Sequence, residues 1–286
     1  MKIIKYFFEF FFISLFFFIF KLIGYKNSSD LGNFIGRKFG PLFRSNNKII
    51  SNLEISQIGT SLQERKAIVD IMWGNYGRIL SEYMYLKKFR KNTLTKFLEV
   101  EGLNYLEEIK KKKDQAIFVS GHFNNFELMA MEIEKAGINL CAIYRPLNNP
   151  FLNIIMEKIR KNYICKNQVK KGKGGTRDIL NFLKKNYSVA LMIDQRVSEG
   201  VSTDFFNRPA FTTTIPAQLV KKFGLKIIPV YVERTERYNF KISFQKSIQF
   251  NKENSIQEIT LELNKLLEKM ILKNPEQWIW SHNRWK

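Results

Sequence analysis

Cysteine, histidine and acidic residues are scarce in this 286-residue sequence. Cys141 and Cys165 are too few for a disulfide framework, so we expect free thiols. His122 and His282 are the only histidines, and neither has another histidine or a cysteine nearby at ligand spacing, so we expect no metal and no other cofactor. Low-complexity tracts, internal repeats and linkers are lacking too, which favours one main domain with a sizeable core.

Basic residues outnumber acidic ones, with 47 Lys and Arg against 26 Asp and Glu and a formal charge of +21. Such a charge attracts anionic partners, which include nucleic acid, anionic lipid and acidic carrier proteins. A nucleic-acid-binding module is the competing class that this charge suggests. The basic residues are dispersed, however, and no familiar nucleic-acid motif occurs, so we expect no specific nucleic-acid partner.

A glycine-rich basic segment, KKGKGGTR, runs from Lys170 to Arg177. Glycine-rich turns before helices can bind phosphate. The segment lacks the Gly-x-x-x-x-Gly-Lys-Ser/Thr spacing, which disfavours a nucleotide hydrolase. Two interpretations stay open: a basic loop that contacts a lipid phosphate or a carrier, and a solvated turn that leads into a helix.

The longest hydrophobic run lies at the N-terminus, where Tyr6 to Phe20 reads YFFEFFFISLFFFIF. A span needs about 20 residues, and Ile3 to Ile23 are just long enough. A cleaved signal peptide is the alternative, but no small-residue cleavage site follows Phe20. We therefore expect an anchor helix over residues 1–26. More basic residues follow the run than precede it, so the positive-inside rule places the body, residues 27–286, in the cytoplasm. A spanning and a monotopic anchor both stay open.

Short apolar runs alternate with helical segments from about residue 97 onward. This alternation predicts an α/β fold, a mostly parallel sheet flanked by helices. The expected strands are FLEVEG, AIFVS, LCAIY, SVALMID and KIIPVYV, with NFKISF as a later strand at an edge of the sheet. The expected helices are Asn125 to Ala136, Pro150 to Asn162, Thr176 to Asn186 and Ile215 to Phe223.

Two capping boxes mark the starts of longer helices. Ser61-Leu-Gln-Glu64 precedes a helix that we expect to reach about Leu86, and Ser255-Ile-Gln-Glu258 precedes the last helix. Both helices carry apolar residues at helical spacing, which indicates that one face of each belongs to the core.

His122 is the candidate general base near neutral pH. It follows AIFVSG and precedes a helix, so it lies at the carboxyl end of a parallel strand, where α/β sheets place ligands. Glu127 comes five positions later, and from the strand-to-helix turn its carboxylate can reach the ring. Such a pair could deprotonate a hydroxyl for attack on a thioester. The alternative is a loop histidine with no role and a solvent-facing glutamate in a first helical turn.

The run SGHFNNFEL around these two residues resembles the first motif of the glycerolipid acyltransferase superfamily, and within it the lipid A late acyltransferases, known as the lauroyl and myristoyl transferases. The resemblance implies that His122 is the catalytic base and that Glu127 is its orienting partner. Both residues are therefore our candidate catalytic residues.

Further segments resemble the same family in order. IYRPLNNPFLN resembles its YRP-x-x-NP-x-L block and contributes Arg145, and Arg160 falls on a functional arginine fifteen residues later. Asp194, in ALMIDQRVSEG, falls on a functional aspartate, where it could pair with Arg160 or fix the site loop. The family often has an acidic residue where Arg196 stands. Arg145, Arg160 and Asp194 are the candidate substrate-binding residues.

The closing segment NPEQWIWSHNRWK resembles the family's last block, and for His282 within it we expect a packing or interfacial role. The resemblance covers roughly residues 30–286. A purely structural membrane protein, the third class considered, would leave the matched residues without a shared purpose.

The resemblance implies an acyltransferase domain over residues 27–286 on the cytoplasmic face of a bacterial inner membrane. It implies acyl carrier protein as the acyl donor. The implied acceptor is a hydroxyacyl group of a Kdo-bearing lipid A precursor, and the product an acyloxyacyl ester. The alternative is an O-acyltransferase acting on a lysophospholipid, a glycolipid or an ornithine-type lipid.

Overall fold

The computed structural model describes residues 2–172 and 174–285, so Met1, Lys173 of the glycine-rich segment and Lys286 lie outside the described residues. The α-helices are α1 (Lys2–Ile23), α2 (Tyr25–Phe43), α3 (Asn46–Ile55), α4 (Leu62–Glu82), α5 (Leu86–Arg90), α6 (Leu103–Lys112), α7 (Glu127–Lys135), α8 (Pro150–Ile159), α9 (Gly175–Lys184), α10 (Ile215–Phe223) and α11 (Ile256–Lys273). The strands are β1 (Leu98–Glu101), β2 (Ala116–Ser120), β3 (Leu140–Tyr144), β4 (Asn167–Lys170), β5 (Ser188–Met192), β6 (Val201–Phe205), β7 (Arg208–Thr212), β8 (Lys226–Arg234) and β9 (Phe240–Phe244).

A seven-stranded sheet in the order β1-β9-β8-β2-β5-β3-β4 forms the centre of the protein. Its neighbouring strands are parallel except for the pair β8 and β9. β6 and β7 form a separate antiparallel hairpin. The sheet carries helices on its faces, so the predicted α/β fold class is confirmed.

The position of NFKISF differs from the prediction. This strand, β9, lies between β8 and β1, whereas the edge strands are β1 and β4. Phe240, Ile242 and Phe244 alternate with half-buried residues along it. Alternation reports that one face of a strand is more buried than the other, and it carries no information about neighbours along the sheet. The short strand β4 and the β6–β7 hairpin were not predicted.

Helix boundaries follow the local signals closely. α10 has the predicted bounds, and at the start of α11 the Ser255 hydroxyl accepts from the Glu258 N–H at 3.1 Å while the Glu258 carboxylate accepts from the Ser255 N–H at 2.7 Å. α7 begins two residues later than predicted, because Asn125 and Phe126 form a tighter turn whose carbonyls accept from the N–H groups of Leu128 and Met129, three residues on.

The core has two parts, one on each face of the sheet. On β2, Ile117 and Val119 join a cluster with α4, α10 and α11, whereas Ala116 and Phe118 join a cluster with α5, α6 and α7. All five residues of β2 are buried. A strand buried on both faces is expected in a parallel sheet with helices on both sides.

Glycines let α2 and α4 approach closely. A Cβ built on Gly36 would stand 2.1 Å from the carbonyl oxygen of Trp73, and one built on Gly77 would stand 1.8 Å from the carbonyl oxygen of Gly32. Any side chain at either position would force the helices apart.

α1 is the one helix in the described part of the chain that is long and apolar enough to cross a membrane. Most of its phenylalanines are exposed, whereas Phe17 and Phe20 are buried. Near its start, the Asn149 side chain donates to the Tyr6 carbonyl at 2.8 Å and to the Glu9 carboxylate at 3.1 Å. α1 therefore follows the body of the protein along much of its length.

Candidate active site

The carboxyl ends of four adjacent parallel strands, β2, β5, β3 and β4, lie along one edge of the sheet. His122 lies two residues beyond β2 and Asp194 two residues beyond β5, while Arg145 directly follows β3 and Lys171 directly follows β4. Parallel strands bring their carboxyl ends to the same edge, where ligands bind. The topology thus assembles residues that are far apart in the sequence.

His122 and Asp194 form a hydrogen-bonded pair. Nδ1 of the ring lies 2.7 Å from Oδ1 of Asp194, and Oδ2 accepts the backbone N–H of His122 at 2.7 Å and the indole N–H of Trp278 at 2.8 Å. The carboxylate is buried, while about a fifth of the His122 side chain is exposed. Because Asp194 occupies Nδ1, Nε2 is the nitrogen left for a substrate.

The charge state of Asp194 follows from these contacts. Burial raises the pKa of Asp194, but the charge of His122 and hydrogen bonds from the His122 ring, the His122 N–H and Trp278 lower it more, to about 2. An ionised acceptor keeps the proton on Nδ1 of a neutral ring, and Nε2 then carries the lone pair.

Glu127 has other partners than the predicted one. Its Oε1 accepts from Nη2 of Arg160 at 2.6 Å, from Nε of Arg160 at 2.8 Å, and from the Tyr83 hydroxyl. The expected contact of Glu127 with the His122 ring is replaced by this cluster, and the ring is oriented by Asp194. Asp194, likewise, pairs with His122 and not with Arg160. The spacing of five residues could not reveal these partners, because Tyr83 and Arg160 come from distant elements.

Arg160 begins a π-helical turn, Arg160–Ile164, that continues α8. Such turns often occur at functional sites. Burial disfavours its charge, but Glu127 and Tyr83 outweigh burial and raise the pKa of Arg160. Nη1 of Arg160 is buried and has no hydrogen-bond partner among the described residues.

The C-terminal segment holds the turn that carries His122. The Asn124 N–H donates to the Gln277 carbonyl at 3.2 Å, and the Asn124 side chain donates to the Gln277 side chain. Phe123 forms an isolated β-bridge with Trp278. These contacts stabilise the positive φ of Asn124 within the turn between β2 and α7 that carries His122.

A buried ion pair also contacts the turn between β2 and α7. Glu82 binds Arg234 at 2.9 Å, and both side chains are almost fully buried. Glu82 also accepts from Asn125 at 3.5 Å and from Ser29 of α2 at 3.1 Å. The turn is therefore connected to α2, α4 and β8 through charged groups that are all paired.

His282 lies in the same site, although we predicted only a packing or interfacial role. Its Nε2 accepts the Arg196 N–H at 3.2 Å. Burial, together with the charges of His122, Arg284 and Lys171, lowers the pKa of His282 to about 4 against the opposing effect of Asp194. The ring is a neutral acceptor near pH 7. The Arg196 side chain contacts Ser198 and Phe211.

A cavity of about 410 Å³ joins these groups. Its polar wall includes His122, Glu127, Arg160, Arg145, Lys171 and His282. Its apolar wall includes Met129, Ala130, Ala142, Ile143, Ala190, Leu191 and Met192. Ala142 and Ala190 are directly paired on β3 and β5, so small side chains leave room where the cavity meets the sheet. An apolar chain with one polar, reactive end fits such a cavity.

Several residues of the site were missed by sequence reasoning. Tyr83 falls within the long helix that the sequence predicts to reach about Leu86, Lys171 within the glycine-rich segment, and Trp278 and Gln277 within the closing block. The signal for the last two was their position in a block that resembles the family. Tyr83 and Lys171 carried no signal that distinguished them from their neighbours.

A protein family and several known proteins match most or all of the chain. The family profile of the bacterial lipid A biosynthesis acyltransferases matches residues 1–286. The lipid A biosynthesis palmitoleoyltransferase of Escherichia coli K12 is 25% identical over 264 residues, 90% of this chain and 84% of that protein. The lipid A biosynthesis lauroyltransferase of the same organism is 24% identical over 241 residues, 82% of this chain and 77% of that protein. A lipid A biosynthesis acyltransferase of Haemophilus influenzae is 26% identical over 242 residues, 82% of this chain and 75% of that protein.

The strand-end histidine, the buried acidic and basic partners beside it and the apolar cavity agree with these similarities. The resemblance read from the sequence motifs is confirmed, and the chain is an acyltransferase that belongs to the bacterial lipid A biosynthesis acyltransferase family.

Proposed function

We propose that this enzyme transfers a fatty acyl group from acyl carrier protein to the hydroxyl of a hydroxyacyl chain on a Kdo-bearing lipid A precursor. The observation that carries the proposal is the pairing of His122 with ionised Asp194 at the polar end of an apolar cavity. The relatives named for lauroyl and palmitoleoyl transfer support the fatty acyl group and the lipid A acceptor.

His122 acts as the general base in this proposal. The acceptor hydroxyl gives its proton to Nε2 while its oxygen attacks the thioester carbonyl carbon. The tetrahedral intermediate then collapses, the carbon–sulfur bond breaks, and the leaving sulfur takes the proton from the imidazolium. Asp194 stabilises the imidazolium through Nδ1. No covalent enzyme intermediate is needed.

Arg160 supplies the positive charge for the oxyanion. Its side chain lines the cavity, two of its nitrogens bind Glu127, and Nη1 has no hydrogen-bond partner among the described residues. A charged donor fixed in a poorly solvated site stabilises the developing negative charge of the carbonyl oxygen. Glu127 is a positioning residue in this mechanism, because it acts through Arg160. The predicted role of Glu127 as direct partner of His122 is thus replaced in our proposal.

The apolar wall receives the acyl chain. It lies beyond the polar wall, between β3, β5 and α7, so a thioester carbonyl at His122 would have its hydrocarbon tail inside the cavity. The positive charge of the chain, +21, suits an acidic carrier protein at the mouth.

The enzyme is proposed to sit on the cytoplasmic face of the inner membrane, with residues 1–26 as the anchor and 27–286 as the acyltransferase domain. Contacts of α1 with the body extend from Tyr6 to Phe20, which is about 21 Å of helix. An upright span would pull the start of α8 into the bilayer. We therefore favour a monotopic α1 that lies along the membrane surface beside the cavity mouth.

The test is acyl transfer from acyl carrier protein to a tetraacylated, Kdo-bearing lipid A precursor by membranes that contain the wild type, His122→Ala or Asp194→Asn. Transfer by the wild type that is lost in both variants, at equal amounts of folded protein, supports the proposal. Transfer only to a lysophospholipid, glycolipid or ornithine-type lipid keeps the chemistry and overturns the acceptor. Full activity of His122→Ala overturns the mechanism.

A further inference from the structure

Two basic residues lie side by side at the mouth of the cavity. β3 and β4 are paired in parallel with Tyr144 opposite Lys170, and Arg145 and Lys171 are the next residues on the two strands. The Lys171 N–H donates to the Tyr144 carbonyl at 2.8 Å, which continues the strand pairing to this position. Both side chains line the cavity and remain exposed at its mouth.

The close approach of Arg145 and Lys171 is electrostatically unfavourable by itself. Like charges at neighbouring positions of adjacent strands repel each other. Partial desolvation, followed by the charge of Arg145, lowers the pKa of Lys171. Within residues 2–172 and 174–285, neither side chain forms an ion pair. By contrast, the adjacent Lys170 binds Glu157 at 3.3 Å and Arg160 binds Glu127 at 2.6 Å.

The acidic groups of the cavity do not balance the pair. Asp194 and Glu199 oppose the lowered pKa of Lys171, but Asp194 is occupied by His122 and Trp278, and within the described residues Glu199 forms no ion pair with Lys171 or Arg145. Glu127 is occupied by Arg160 and Tyr83. An uncompensated arginine and lysine at the entrance of an otherwise neutralised site therefore point to an anionic ligand that arrives from outside.

We propose that Arg145 and Lys171 form a phosphate-binding subsite that holds the phosphate group of a substrate while its reactive end reaches His122. Arg145 offers a planar set of donors, and Lys171 offers a point charge on a flexible stem, a combination suited to a phosphate. The inference rests on the proposed function for the identity of the substrates. It adds that a phosphate, either of the lipid acceptor or of the carrier's prosthetic group, is recognised at this place.

The test uses the full-length enzyme with Arg145→Gln and Lys171→Met, with Lys170→Met as the matched control on the neighbouring position. Acceptors with and without their phosphates are compared, as are acyl carrier protein and an acyl N-acetylcysteamine thioester, which has no phosphate. We expect KM for the phosphate-bearing substrate to rise on the order of ten- to hundredfold in both variants, with kcat at saturation little changed. Lys170→Met should behave as the wild type.

The set of substrates whose KM rises in the two variants identifies the source of the phosphate. An effect confined to phosphorylated acceptors assigns the subsite to the lipid, and one confined to acyl carrier protein assigns it to the prosthetic group. Equal losses with phosphate-free substrates, or unchanged KM everywhere, overturn the subsite. Thermal stabilisation by inorganic phosphate provides a readout without turnover: it should occur in the wild type and disappear in Arg145→Gln. If phosphate stabilises the wild type but not Arg145→Gln, and the wild type nevertheless transfers no acyl group, the subsite is supported and the proposed function is wrong.

Discussion

Nδ1 of His122 lies 2.7 Å from Oδ1 of Asp194, and the other oxygen of the same carboxylate accepts the His122 backbone N–H at 2.7 Å. One buried aspartate thus fixes both the position of the residue and the tautomer of its ring. The two residues each follow one of two neighbouring strands, β2 and β5, so their pairing is a consequence of sheet order.

Replacing Asp194 with asparagine should abolish most of the activity without unfolding the protein. The amide can donate to Nδ1, which would place the proton of the neutral ring on Nε2 and leave no lone pair there for the proposed general base. We expect kcat to fall on the order of 100- to 10,000-fold. Asp204→Asn, at an exposed position of β6, serves as the control. An active Asp194→Asn enzyme with unchanged thermal unfolding would contradict the tautomer argument.

Arg160→Lys should lower kcat, because the three donors of an ammonium group share one nitrogen and cannot reproduce the planar guanidinium, which binds Glu127 through Nε and Nη2 and carries Nη1 as a separate donor. A loss on the order of 100- to 1,000-fold is expected for removal of an oxyanion donor. Glu127→Gln should act through the same arginine, so the double variant should be little worse than Arg160→Lys alone. Strictly additive losses would mean that Glu127 acts on the reaction separately. Arg208→Lys, at an exposed position, is the control for replacing an arginine with a lysine and should leave kcat unchanged.

The sequence was sufficient for the parts of the site that depend on strand ends. His122, Asp194 and Arg145 each follow a recognisable apolar strand, and parallel strands with a common edge bring such residues together. The sequence could not predict that Glu127 binds Arg160 and Tyr83. The 3₁₀ turn that carries Tyr83 and the π-helical turn that carries Arg160 meet only through packing of α4, α7 and α8. The central place of β9 was likewise undetermined, since alternation specifies a face and not a neighbour.

Gly36→Ala should destabilise the protein although alanine is the better helix former. In an exposed helix this change gains roughly 0.5 to 1 kcal/mol. Here the new Cβ would stand 2.1 Å from the Trp73 carbonyl, so α2 and α4 must separate. Overpacking of this kind costs about 1 to 3 kcal/mol. Thermal unfolding of the detergent-solubilised enzyme measures the difference. Gly174→Ala, whose Cβ meets nothing within 4 Å, is the control and should unfold as the wild type does.

Ala142→Leu should shift the enzyme toward shorter acyl donors. Ala142 lines the apolar wall opposite Ala190, so a larger side chain fills the space proposed for the tail. Each methylene that can no longer be buried loses about 0.8 kcal/mol, which corresponds to roughly 50-fold in kcat/KM for three methylenes. Competition between decanoyl and myristoyl carrier protein measures the shift. Ala136→Leu, outside the cavity wall, should leave the ratio unchanged. If Ala142→Leu did not alter the ratio of decanoyl to myristoyl transfer, the acyl chain would have to bind outside this cavity wall.

His282 should make the stability of the fold depend on pH between about 6.5 and 4. Burial and then neighbouring charges lower its pKa from 6.5 to about 4 in the folded protein, whereas the unfolded chain keeps the ordinary value. Between these values the unfolded state binds more protons than the folded state, so stability is fully present above pH 6.5 and falls as the pH decreases toward 4. Asp194, with a pKa lowered from 3.8 to about 2, loses its contribution only below that window. The two effects can therefore be separated by pH.

In His282→Gln, whose side-chain carbonyl can still accept the Arg196 N–H, the slope of the unfolding temperature between pH 6.5 and 4 should flatten. An equal slope in wild type and variant would assign the pH dependence to other groups.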